Sequence, residues 1–187
     1  MNKRKNSIGL LELSCIHKGF ESLDRMLKAA AVEKLLGRTI CSGKYLILVK
    51  GELADVEAAV GAGREAAAYA LVNALVISNV EAAVFPAISG TTAFEGAEYD
   101  GMLVVETFSV ASCIKAADIA LKTADITMVR IHAAMAVGGK AYFVATGLID
   151  ALKSVIDPVL EFLKEEGSLV GYSLITQPGE EVVRELL

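Results

Sequence analysis

The chain has 187 residues, 54% of them hydrophobic, and carries a formal net charge of −5. That balance argues against a nucleic-acid binder, which presents a basic stripe, and no stretch approaches the roughly 18 uninterrupted apolar residues of a membrane helix. Three widely separated cysteines, Cys15, Cys41 and Cys113, fit a reducing compartment better than a disulfide framework, so a cytoplasmic protein is expected.

The short polar leader with Lys3-Arg4-Lys5 reads as a solubilising tail. It is no signal peptide, because Glu12 and then His17-Lys18 interrupt any apolar core. Residues 8–14 are apolar and read as a buried strand. From Phe20 to Ala30, Phe20, Leu23, Leu27 and Ala30 share one helical face, while Glu21, Asp24, Arg25 and Lys28 point outward. A second strand is predicted near 32–39, then a tight Ile40-Cys41-Ser42-Gly43 turn, then a continuously apolar strand from Lys44 to Lys50. Gly51 ends it, and an Ala-rich helix follows from Leu53 to Ala70, whose small residues let it lie close to the sheet. A last strand covers about 73–78.

This β-α-β-β-α-β order is the split βαβ, ferredoxin-like motif, an α+β arrangement with an antiparallel sheet and helices on one face. The second half repeats it: a strand near 102–107, a helix over 109–123, strands near 125–132 and 140–146, a helix over 149–165 and a strand over 168–175. Residues 179–187 read as a short terminal helix. The repeat is also legible in residues. Gly9-Leu10-Leu11-Glu12-Leu13 returns as Gly101-Met102-Leu103-Val104-Val105-Glu106-Thr107, and Asp24/Lys28/Ala30 as Asp118/Lys122/Ala124. Ser42-Gly43-Lys44 returns as Gly138-Gly139-Lys140. A period this long marks a duplicated domain rather than a solenoid, whose units run about 20–50 residues. The expected division is a first domain over 7–85, a linker over 86–100 rich in Gly, Thr and acidic residues, and a second domain over 101–187. Domains this small bury only about 60–70% of their unfolded surface. The surplus of apolar residues therefore predicts an obligate oligomer.

Familiar catalytic patterns are missing. Gly37 to Lys44 imitates a phosphate loop, but its glycine spacing is wrong and Tyr45 replaces the required Ser or Thr. Gly61-Ala62-Gly63 lies inside a helix and is no dinucleotide fingerprint. His17 reads as a loop or cap residue and His132 as a structural side chain at a strand end. Glu165-Glu166 and Glu180-Glu181 read as solvated charge. No enzymatic activity is expected. The informative difference between the copies lies at one turn: the first carries Cys41, the second Met135-Ala136-Val137.

Taken in order and in duplicate, these pieces resemble the tandem-domain shell proteins of bacterial microcompartments. The resemblance implies a structural role, in which three chains close into a pseudohexagonal homotrimeric tile that packs against other shell proteins around enclosed enzymes. It implies that Ile40, Cys41, Ser42 and Gly43, with Met135, Ala136, Val137 and Gly138, line the central opening, and that Lys28 and Lys122 lie at the tile edge. Many members carry a Pro-Arg-Pro segment near the domain end, where this chain has Ser78-Asn79-Val80 and Thr176-Gln177-Pro178. The run Thr39-Ile40-Cys41-Ser42-Gly43-Lys44 is similar to that of the trimeric shell proteins of propanediol-utilisation compartments, where a Thr-Ile-Cys-x-Gly-Lys turn holds an iron–sulfur cluster on the threefold axis. Cys41 is thereby implied as a metal ligand of one [4Fe–4S] cluster per trimer, serving electron transfer across the shell or cluster delivery to an enclosed redox enzyme. One chain has no Cys-x-x-Cys run to build a cluster alone. Three symmetry-related thiolates would repel one another unless protonated or offset by a cation. Cys113, on the apolar side of its helix, reads instead as a buried hydrophobe. Two alternatives stay open at this point: a tile with a plain metabolite pore, and a ferredoxin-like ligand-binding regulatory protein.

Overall fold

The computed structural model describes residues 6–92, 100–133 and 138–184. The chain divides into two compact units, Met1–Val80 and Glu81–Leu187. The division falls ahead of the 85/86 boundary read from the sequence.

In the first unit, β1 (Ser7–Leu13), β2 (Glu33–Ile40), β3 (Lys44–Gly51) and β4 (Leu71–Ile77) form one antiparallel sheet in the order β2-β3-β1-β4. Helices α1 (Ile16–Ala29) and α2 (Leu53–Ala67) pack on each other and on this sheet. Strand alternation sets the helix-side face: Leu11 and Leu13 on β1 meet Tyr45, Ile47 and Val49 on β3, and Met26, Val56, Ala59 and Val60 of the helices complete the core. The opposite face of the two central strands is apolar as well, with Ile8, Leu10, Leu46 and Leu48 buried. That explains the unbroken hydrophobic runs in the sequence.

Close approach of α2 depends on Gly63, where an added Cβ would lie 2.5 Å from Leu11 Cδ1 and 2.6 Å from Met26 Cγ. Gly61 faces open space. The helix predicted to reach Ala70 ends at Ala67, and a 3-10 turn over Ala68–Ala70 leads into β4. α1 begins earlier than the sequence pattern suggests, so His17 lies in its first turn rather than in a loop.

The second unit opens with α3 (Val84–Ser89), which packs on strand β6 and helix α4. Its Pro86 sits in the first turn, where no intrahelical N–H is lost. β5 (Gly101–Thr107), β6 (Thr127–Ala133), β7 (Ala141–Gly147) and β8 (Leu169–Thr176) repeat the first sheet in the order β6-β7-β5-β8. Both copies carry an irregularity at the matching place in their edge strand, between Lys34 and Leu36 and between Met128 and Arg130. Helices α4 (Val110–Thr123) and α5 (Ile149–Glu165) cover the sheet, and α6 (Glu180–Arg184) follows β8. Among the described residues no helix is long and apolar enough to cross a membrane.

Candidate functional site

The turn that carries Cys41 is built by an edge hairpin. β2 ends on buried Ile40, which pairs with Lys44 at the start of β3, and Cys41–Gly43 make a single 3-10 turn between them. Gly43 closes that turn with φ +72°, a conformation that a side chain disfavours, and nothing lies within 4 Å of where its Cβ would be. The turn therefore faces open space, with Cys41 half-buried within it. In the second unit the corresponding turn ends on Gly138 (φ +65°) and Gly139 (φ +87°), which also face open space. Met135, Ala136 and Val137, assigned to the opening from sequence, lie outside the described residues.

Each turn is anchored by an ion pair that the sequence reading missed. Lys44 Nζ donates to Glu12 Oε1 at 2.7 Å, and Lys140 Nζ donates to Glu106 Oε1 at 3.0 Å. The partners are 32 and 34 residues apart, so only the β1–β3 and β5–β7 registers bring them together. The recurrence of Glu and of Lys at matching places in both copies was the available signal. Beside the second turn, the His132 ring stacks on Tyr142 with centroids 5.0 Å apart, in keeping with a structural role.

The three cysteines have different surroundings and form no disulfide. Cys113 is fully buried on α4, and burial pushes its thiol up to about 12, against a smaller opposing effect from a hydrogen bond with Thr107. A thiol so reluctant to ionise is a poor metal ligand. Cys15 occupies the N-cap position of α1 and packs against the first core. Cys41 alone sits at a turn open to its surroundings. Among the described residues no group of three His, Cys, Asp or Glu side chains could hold a metal ion. One chain can therefore offer a single thiolate from this turn, which fits a cluster only as one ligand among symmetry-related copies.

The two lysines assigned to the tile edge are held differently. Lys28 Nζ reaches Asp24 Oδ2 at 2.7 Å, and both side chains are exposed. Lys122 Nζ reaches Asp118 Oδ2 at 2.6 Å, but Asp118 is buried and also accepts the Glu81 backbone N–H at 2.8 Å. Elsewhere on the first unit, a shallow cleft between α1 and α2 is lined by Lys18, Glu21, Arg25 and Glu65. Lys18 and Glu21 pair there at 2.7 Å, which raises the lysine pKa and lowers that of the carboxylate.

Known proteins share this arrangement. The BMC domain matches residues 7–80 and again 103–178. A bacterial microcompartment shell protein PduT from Citrobacter freundii is 41% identical over 181 residues, spanning 97% of each chain. A carboxysome shell protein CsoS1 from Prochlorococcus marinus is 37% identical over 86 residues, covering 44% of this chain and 82% of that protein. The crystal structure of a microcompartment protein from Desulfitobacterium hafniense superposes with a TM-score of 0.91 at 36% identity, covering 95% of this chain and 98% of the other. Two units of one topology, matched twice by the same domain and once over the full length by a shell protein, place this chain in the BMC-domain family as a tandem-domain shell protein of bacterial microcompartments.

Proposed function

We propose that three copies of this chain close into a pseudohexagonal shell tile whose threefold axis carries one [4Fe–4S] cluster held by Cys41 from each copy. The observation that carries this reading is the position of Cys41. It lies half-buried in the glycine-closed turn between β2 and β3, where Gly43 faces open space, while the matching turn of the second unit has no cysteine. A sixfold arrangement of domains with unequal turns has threefold chemical symmetry, so three thiolates meet rather than six.

A bound cluster would supply one-electron redox chemistry, suited to electron transfer across the shell or to delivery to an enclosed redox enzyme. The chain's own residues set the surroundings. Cys41 supplies the thiolate, Gly43 leaves room beside it, and the Glu12–Lys44 pair fixes the base of the turn. Backbone N–H groups of the turn are donors suited to sulfur, and such bonds raise a reduction potential. Lys44 is paired with Glu12, so its charge is largely offset locally. Lys28 and Lys122 are the side chains proposed to meet neighbouring tiles.

The test is anaerobic purification followed by iron and sulfide analysis and EPR, on the wild type and on Cys41→Ala and Cys113→Ala. The reading predicts a reducible cluster signal that Cys41→Ala abolishes and Cys113→Ala retains. A wild type that stays iron-free after anaerobic reconstitution would leave a tile with a plain metabolite pore. A signal lost with Cys113 instead would overturn the site.

A further inference from the structure

The two units share an exit from their sheets. After β4 and after β8 the chain passes through a left-handed, non-glycine residue, Asn79 (φ 52°) and Gln177 (φ 48°). Both exits then turn in the same way: the Val84 N–H donates to the Glu81 carbonyl at 3.0 Å, and the Val182 N–H to the Gly179 carbonyl at 3.0 Å. A short helix follows each time, α3 after β4 and α6 after β8. The repeat therefore includes these helices, with Val182 standing where Val84 stands.

Their fates differ. α3 packs on edge strand β6 and helix α4, with Val84 fully buried and the Glu81 N–H bonded to Asp118. α6 buries no residue at all, and Val182 is 46% exposed. The surface equivalent to α3's seat is α1 with edge strand β2. There Ile16 is 40% and Phe20 62% exposed, whereas their counterparts Val110 and Ile114 are 2% and 0% exposed. Asp24, the counterpart of Asp118, is exposed, whereas Asp118 holds a backbone N–H as well as its lysine. Among the described residues, α6 has no seat and the α1–β2 surface has no counterpart of α3.

We infer that α6 of one chain docks on α1 and β2 of a second copy, with Val182 taking the place of Val84 and the Gly179 N–H donating to Asp24. The inference rests on the homo-oligomer proposed above and names the segment that joins its members. Each chain gives one helix and receives one, a head-to-tail contact that closes into a ring or runs on as a filament. The repeated left-handed exits gain a purpose in this arrangement, since each launches a helix onto the next unit's edge strand.

The test compares the full-length wild type with Val182→Asp and with a chain stopped after Gly179. Sedimentation gives the dissociation constant, and hydrogen exchange is followed on dilution. Val182 is exposed in the single chain, so its substitution leaves the monomer folded. The inference predicts a dissociation constant raised about tenfold or more, the scale of losing one buried interface anchor. It also predicts that α1 and residues 179–184 lose their concentration-dependent protection together. Wild-type and variant chains that assemble with equal dissociation constants would overturn this docking while leaving the oligomer intact. A wild type that stays monomeric at every concentration would overturn the oligomer and the docking with it.

Discussion

Ala68 follows the last turn of α2 with φ 48° and ψ −121°, a backbone conformation that suits glycine and strains alanine. The corresponding turn after α5 uses Gly167 at φ +59°. Ala68→Gly should therefore stabilise the first unit by about 1 kcal/mol, strain relief outweighing the added freedom of the unfolded chain, as read by urea unfolding. The reverse holds at Gly19 on α1, where an added Cβ would lie 2.2 Å from Cγ of buried Tyr45. Gly19→Ala should cost about 1–3 kcal/mol, because the ring cannot yield without moving the sheet. Cys113 offers a pH signature. Its thiol pKa is raised in the folded state from 9.0 to about 12, so the unfolded chain loses its proton first as pH rises. The stability this group contributes is complete below pH 9 and is lost between 9 and about 12, with a limiting slope of about 1.4 kcal/mol per pH unit. Cys113→Ala should flatten that alkaline limb of the unfolding profile.

Among the elements, the paired helices α1 and α4 show how one sequence pattern acquires two energetic roles. The Asp24–Lys28 pair is exposed and contributes little, in the range of an ordinary surface pair. Asp118 is buried, and removing it strands the Glu81 N–H and Lys122 together. Asp118→Ala should cost about 2–3 kcal/mol in thermal or chemical unfolding, against under about 0.5 kcal/mol for Asp24→Ala in the dissociated chain. The sequence could not distinguish these twins, since both read Asp-x-x-x-Lys. Among the described residues it did locate every strand and the four long helices, because apolar runs, helical faces and glycine breaks agree in both copies. It missed α3, a six-residue helix too short to establish a period, whose Pro86 looked like a linker residue. It also placed His17 in a loop, although α1 begins at Ile16 without any side-chain cap to announce it. The Glu12–Lys44 and Glu106–Lys140 pairs were hidden by their separation along the chain and required the strand register to join them. Cys41 was visible as a difference between copies, but its open turn was not.

For the whole molecule, duplication makes the two units alike in topology and unlike in chemistry. The family match and the shell-protein relatives account for the architecture. What the chain adds is inequality: a cysteine in one turn, a buried aspartate on one helix, a seated helix at one exit. In the proposed tile these differences repeat three times around the axis, which brings three Cys41 thiolates together and leaves the second unit's turns without a cysteine. The most direct test is native mass spectrometry of anaerobically purified protein, compared with Cys41→Ala. The account predicts a three-chain assembly carrying the added mass of one [4Fe–4S] cluster, and a three-chain assembly without that mass in the variant. A wild-type assembly that carries no cluster mass after reconstitution, or a chain that flies only as a monomer, would contradict it.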